Sequence, residues 1–268
     1  EGGKIISISK YLLSKDILLK IPKTIIITMG ITLLFSYSIW VATDCDPIFP
    51  FISDLDLHPM STILFTAGLT LTGIMVIILA FQITNNRKGW CETLHTNEFG
   101  LLPMINNISF FPGIIVGLGI IGIAWNPWNE GIEIHILYAN AIFYGGVAWT
   151  FLATYSTWLM CAFDERFKQL IKPRIFAAVT AAVCLLILIW KVGQAHNNGF
   201  DFGENEALSR NFVSFCKGNA GGSLDDIYLS QAAIAEWVMV LSMLYFSNTF
   251  AKEVTIINEA MPQIENEE

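Results

Sequence analysis

Charge is what this sequence has least of. Asp, Glu, Lys and Arg together make up 14% of its 268 residues, against roughly 25% in an ordinary soluble domain, so the chain is ill-equipped to cover a water-facing surface. Apolar residues make up 54% and the mean hydropathy is +0.55, which makes a bilayer the expected solvent. The familiar catalytic signatures are also missing. There is no Gly-Lys-Ser/Thr phosphate loop, no His-Glu-x-x-His helix, no Gly-x-Ser-x-Gly elbow and no Cys-x-x-Cys pair, so no catalytic residue and no cofactor is assigned from motifs. No basic patch interleaved with aromatics points to nucleic acid as a partner. Five cysteines are too few for a disulfide-built scaffold.

What is present is a set of long apolar runs. A helix rises about 1.5 Å per residue and lipid offers no partner for free backbone groups, so a crossing needs about 20 mostly apolar residues. Six runs serve, at about 24–42, 61–84, 108–125, 137–163, 175–190 and 230–251. The expected fold is all-α, an integral membrane bundle of six transmembrane helices forming one domain over 24–251. The first two runs carry no charge. The third contains Pro112, tolerated where neighbouring helices meet the freed carbonyl, and its Gly113 and Gly117 have the small-xxx-small spacing that brings two helices close. The fifth is short, with Lys191 as a snorkelling end.

The distribution of Lys and Arg sets the orientation. Lys4, Lys10, Lys15, Lys20, Lys23, Arg87, Lys88, Arg166, Lys168, Lys172, Arg174 and Lys252 fall on one side, against Lys191, Arg210 and Lys217 on the other. The positive side stays inside, which places both termini in the cytosol. The net charge of −8 does not alter this, since acidic residues count little toward topology. Residues 1–23 are then cytosolic, and 4–22 (KIISISKYLLSKDILLKIP) form an apolar segment studded with lysine. It reads as a basic helix on the inner membrane surface, drawn to anionic lipid, or as a helix packed on the rest of the protein. Residues 252–268 read as an acidic, solvated, mobile tail. The chain opens on EGGK without Met, so the true start is expected upstream, and nothing resembles a cleavable signal peptide.

Cys45 and Cys216 fall in outer loops, on the oxidising side, and are the candidate disulfide. Cys161 and Cys184 lie within spans and read as small apolar packing residues. Cys91 faces the cytosol as a free thiol or an acylation site. The glycosylation triplet Asn107-Ile108-Ser109 sits at the inner end of the third span, where it should stay unmodified.

One residue breaks the apolar rule conspicuously. Glu236 lies inside the last run, about 9 Å along the helix from its start at Ser230 and hence in the outer half, with no cation in the same run. An unpaired carboxylate there would be costly, so it should face the bundle, protonated or paired. Lys191 is the nearest cation by chain logic and His135 a second candidate. Either Glu236 braces two helices, or it lines a polar pocket open to the outer leaflet for a lipid headgroup or a proton. Two further clusters lie on the same side. Asp54, Asp56 and His58 alternate, and in an extended chain they would share one face able to hold a divalent cation. The competing reading is that Ser53 and Asp54 brace the loop through backbone hydrogen bonds. His135 and Asn140, at the mouth of the fourth span, form the other cluster.

These residues carry a family resemblance. Ala232-Ala-Ile-Ala-Glu236-Trp237, followed by Tyr245-Phe-Ser-Asn-Thr-Phe250, looks like the last span of the DRAM (damage-regulated autophagy modulator) family, a group related to the Frag-type GPI-remodelling proteins, the transmembrane protein 150 group and their fungal relatives. Pro50-Phe-Ile-Ser-Asp54 is similar to that family's first-loop motif, and His135 falls where it has a histidine entering the fourth span. After Asp54 the chain departs from the family's usual Thr-Gly and later Pro-Pro-Glu, reading Leu55-Asp-Leu-His-Pro-Met60, the mark of a distant member. The resemblance spans about residues 24–253. It implies a plasma-membrane or endolysosomal protein, with ER and Golgi as alternatives, linked to autophagy, phosphoinositide kinase recruitment and the arrangement or remodelling of lipids. The leading expectation is a non-enzymatic regulator or adaptor, as part of a larger membrane complex, with lipid contacts at Glu236, His135, Asp54, Ser53, Lys191 and Trp237. The alternative is a lipid-remodelling enzyme or its cofactor, in which His135, Glu236 and Asp54 converge as an acid/base group. An ion-conducting protein is the weakest reading, because no span shows a repeated ring of polar residues.

Overall fold

The computed structural model describes residues 15–45, 50–94, 100–201, 203, 212, 216 and 227–260. Six long helices account for nearly all of them: α1 (Lys15–Ala42), α2 (Pro59–Thr93), α3 (Leu102–Ala124), α4 (Ile132–Met160), α5 (Lys168–Asn197) and α6 (Ile227–Ala260). All six are long and apolar enough to cross a membrane, and the protein is an integral membrane protein with an all-helical fold. Consecutive helices pack side by side. α6 closes the ring against α1 and also touches α2 and α4.

Which way the side chains point fits a lipid solvent. Ile63, Phe111, Phe176 and Leu186 are exposed on the outside of the bundle, while Thr32, Ser36, Thr72, Gln82, Ser156 and Thr157 are buried within it. Several of the interior hydroxyls return to their own helix, as Thr32 and Thr157 do to the carbonyls of Thr28 and Ala153. Small residues set the closest approach. A Cβ added to Gly117 would lie 2.5 Å from Ile77 Cγ1 and 2.8 Å from the carbonyl oxygen of Gly73, and one added to Gly73 would lie 2.6 Å from the carbonyl oxygen of Gly117. The glycines that have the small-xxx-small spacing therefore serve the α2–α3 contact within the monomer.

The helices outrun the apolar runs that announced them. α1 begins at Lys15, so residues 15–23 continue the first span's helix and are no separate surface helix. The reason is a single buried stripe, Ile21, Ile25, Met29 and Leu33, recurring every four residues. Residues 1–14 lie outside the described residues. α5 continues to Asn197, so Lys191 sits within the helix and not at its end. Correcting the expectation of a solvated tail, residues 252–260 are helical, and Glu253, Val254, Ile256 and Ile257 are buried. A tail turns solvated only where its buried face stops, and here the face runs on. Residues 261–268 lie outside the described residues.

The described residues between α1 and α2, between α3 and α4 and between α5 and α6 lie at one end of the bundle. There a disulfide joins Cys45 to Cys216, with Cα atoms 4.8 Å apart. The first of these loops is compact. Residues Ile52–Asp56 form a short 3-10 helix, and His58 caps α2, its Nδ1 accepting from the N–H of Met60 at 3.1 Å, one residue before Pro59 in the first turn.

Candidate functional site

Glu236 is 7% exposed and points from α6 into the bundle, where its Oε2 accepts from the backbone N–H of Ile52 at 2.8 Å. The next residue of the same helix turn completes the grip, Trp237 Nε1 donating to the carbonyl of Pro50 at 2.8 Å. Two adjacent side chains of α6 thus hold the segment from Pro50 to Ile52, using the two backbone groups that would otherwise be left unpaired beside the membrane. The partner of Glu236 is neither of the two expected ones. Lys191 Nζ donates instead to Gln194 Oε1 at 2.9 Å and lies 4.4 Å from the Trp190 ring and 5.2 Å from that of Tyr228. His135 Nδ1 lies 2.7 Å from the carbonyl oxygen of Asn126. Chain logic pointed to charge, whereas a nearer backbone donor met the need.

Asp54 stabilises the same loop from within. Its Oδ2 accepts from the N–H of Phe51 at 3.0 Å and its Oδ1 from Trp128 Nε1 at 3.1 Å. Burial pushes its carboxyl up to about 7, outweighing those two hydrogen bonds. Asp56 is likewise raised to about 7, by burial first and the charge of Glu130 second, with a bond from Thr62 opposing both.

The alternating trio does not gather on one face. A 3-10 helix turns through about 120° per residue, so Asp54 and Asp56 diverge, and the lone pair of His58 Nδ1 is committed to Met60. Among the described residues no group of three or more His, Cys, Asp or Glu could hold a metal ion. The cation-site reading of Asp54, Asp56 and His58 fails because the loop is coiled, not extended.

Behind this loop lies a cavity of about 290 Å³. Ser53, Asp54, Trp128, His135, Asn140 and Glu236 supply its polar groups, and aliphatic and aromatic residues, mostly of α4 and α5, supply the rest. Ile136 and Ile189 line it and are also exposed on the flank of the bundle, which puts its mouth between α4 and α5. Since a carbonyl only accepts, His135 must place its proton on Nδ1, leaving Nε2 toward the cavity. Glu236 Oε1, His135 Nε2 and Ser53 Oγ take no hydrogen bond within the described structure. A second, smaller cavity of about 110 Å³ reaches into the bundle core past Leu69, Val116 and Trp149, and shares Ser53, Phe143 and Glu236 with the first. One carboxylate therefore stands where two apolar chambers meet.

The opposite end holds a cluster that the sequence reading missed. Glu253 accepts from Arg87, Nε to Oε1 at 2.6 Å and Nη2 to Oε2 at 3.0 Å, and its Oε2 also pairs with Arg174 Nη1 and with Thr157 Oγ1 at 3.2 Å. Arg87 Nη2 reaches the carbonyl of Ala153, and Arg174 Nε donates to Thr249 Oγ1 at 2.7 Å. All three charged residues are essentially fully buried. The clue was present: Leu79, Ile83, Arg87 and Trp90 follow one helical face, as do Phe246, Phe250, Glu253 and Ile257, so these charges continue buried stripes.

Six membrane-crossing helices, pinned by a buried ion cluster at one end and enclosing a carboxylate-lined cavity at the other, define a multi-span membrane protein with an internal polar site. The Frag1/DRAM/Sfk1/Cwh43P N-terminal domain model matches residues 19–255, and the chain belongs to that family. No curated protein and no solved structure matches it.

Proposed function

We propose that this protein is a membrane regulator that holds a lipid in the cavity behind its first loop, with both termini in the cytosol and the cavity at the level of the outer leaflet. The observation that carries the reading is Glu236: a buried carboxylate with one oxygen spent on the Ile52 N–H and the other turned to an apolar-walled cavity open between two helices. Small-molecule sites have this composition, mostly apolar walls with a few convergent polar groups. In this reading the basic N-terminal segment meets anionic lipid at the inner face, and protein partners assemble there. Roles in autophagy or phosphoinositide signalling, at the plasma membrane or an endolysosomal membrane, rest on the family alone.

A second reading is favoured by one feature, the convergence of Ser53, Asp54, His135 and Glu236 on one cavity. Such a set suits acid/base work on a lipid. No hydrogen bond links His135 to Ser53 or to Glu236 among the described residues, which places lipid holding ahead of lipid remodelling.

The test is purification in a mild detergent followed by mass-spectrometric identification of bound lipids. Wild type should retain a lipid that Leu188→Trp, which fills the cavity, loses. Identical lipid profiles from the two proteins would sink the reading. If Glu236→Gln stays folded yet abolishes turnover of a radiolabelled lipid that wild type converts, the remodelling reading replaces it.

A further inference from the structure

The two ends of the bundle treat buried carboxylates in opposite ways. Glu253 has two arginines. Among the described residues Asp54 and Glu236, both buried at the disulfide end, have no ion pair: the cationic side chains of Arg87, Lys88, Arg166, Lys168 and Arg174 all engage acids elsewhere, and Lys191 is turned to Gln194. Among the described residues no Lys or Arg lines the 290 Å³ cavity.

Three of the groups left open there can accept, and the Asn140 amide in the same wall both donates and accepts. Glu236 Oε1, when ionised, can only accept, His135 Nε2 accepts when the ring is neutral, and the Ser53 hydroxyl accepts as well as donates. A phosphate or carboxylate headgroup offers acceptors alone and would meet two acids with no cation among the described residues to balance it. A lone hydroxyl offers one donor. A primary ammonium offers three donors and the one positive charge that the described cavity wall lacks, while aromatic rings of Phe51, Trp128 and Phe143 in the same wall favour a cation over a neutral group.

We propose that this cavity binds an amphiphile with a protonated amine head, the ammonium seated on Glu236, His135 and Ser53 and the chain leaving between α4 and α5. The proposal rests on the lipid-holding reading and narrows it to one headgroup chemistry. Asp54 adds to the negative field without needing to touch the ligand, since both its oxygens are occupied.

The experiment uses the full chain in phosphatidylcholine nanodiscs and three radiolabelled probes that share one saturated C18 chain: octadecylamine, octadecanol and stearate. Binding above that of empty nanodiscs is measured at neutral pH. Octadecylamine should bind saturably, about tenfold or more tighter than either other probe, and Glu236→Gln should remove that preference. The amide oxygen of Gln still accepts from Ile52, so the loop stays seated, and the comparison of probes on wild type stands whether or not a variant folds. Octadecanol or stearate binding as tightly as octadecylamine overturns the proposal. If that happens while Leu188→Trp still blocks binding, the amine falls and the lipid cavity survives. If no probe binds in a way that Leu188→Trp abolishes, both fall.

Discussion

Replacing Glu253 by Gln tests how the bundle is pinned at the end away from the disulfide. The substitution keeps size and some hydrogen bonding but removes the only anion between two buried guanidinium groups, leaving two cations facing each other. Breaking a buried pair by removing one partner costs about 3–5 kcal/mol, because the remaining charge is stranded, and here two charges are stranded at once. Arg174→Met behaves differently. It leaves Glu253 paired with Arg87 through the bonds at 2.6 Å and 3.0 Å, and the site becomes neutral overall. Its losses are the Nη1 contacts with Glu253 and Thr157, the bond to Thr249 and the stacking of Arg174 over Phe250 at 4.6 Å and Phe246 at 5.3 Å, offset by the relief of one uncompensated cation to a net of roughly 1–3 kcal/mol. The readout is the temperature at which detergent-solubilised protein ceases to elute as a monodisperse peak. At roughly 2–4 °C per kcal/mol for a chain near this size, Glu253→Gln should lower it by roughly 6–20 °C and Arg174→Met by less. The double variant should lose less than the two singles combined, because removing Arg174 relieves one stranded cation. A Glu253→Gln midpoint equal to that of Arg174→Met, or strict additivity, would refute the reasoning.

Other expectations can be checked on the same preparation. Glu236→Leu strands the Ile52 N–H and should cost about 1–3 kcal/mol, where Glu236→Gln costs less; equal thermal midpoints would show that the loop is not held by that bond. Gly117→Ala places a Cβ against the backbone of α2 and should cost roughly 1–3 kcal/mol by overpacking, whereas Gly30→Ala, with no atom within 4 Å of the added Cβ, should not destabilise. Asp54 and Asp56 are raised to about 7. The folded state therefore holds more protons than the unfolded chain between about pH 4 and 7, and stability should fall as pH rises through that window, less steeply in Asp54→Asn. A midpoint that rises with pH there would contradict the burial of both groups. Cys45→Ser should lower stability by up to about 5 kcal/mol on chain-entropy scaling for so long a loop, with no further loss from adding Cys216→Ser.

The membrane class and the helix count were legible because they rest on composition and length, which a bilayer constrains more severely than water does. Helix ends were less legible. Hydropathy stops at the first charge, but the buried stripe through Leu79, Ile83, Arg87 and Trp90 continues across one, since a charge can stay inside when a partner from another helix meets it. At the site, the inward aim of Glu236 was readable from the cost of exposing a carboxylate to lipid. Its partner was not, because Ile52 is recruited through its backbone, and backbone donors leave no trace in side-chain chemistry. Trp128 was missed for a related reason: its indole reaches Asp54 across 74 positions of sequence, and nothing local to Trp128 distinguishes it from an interfacial tryptophan.

α6 ties these observations together. Glu236 and Glu253 lie about 25 Å apart along its axis at 1.5 Å per residue, close to the thickness of the hydrocarbon layer, so each acid stands near one border of the membrane. Glu253 is overcompensated by two cations and touches side chains of α2, α4 and α5. The other touches one backbone group and a cavity. Stability needs only the first arrangement. A protein under selection for stability alone would be served by Gln at position 236, which still accepts from the Ile52 N–H and avoids the desolvation of a carboxylate. In the proposed reading the carboxylate serves a ligand that enters the cavity and takes its free oxygen, and this is why the probes that separate amine from hydroxyl bear on that reading more directly than any measurement of folding.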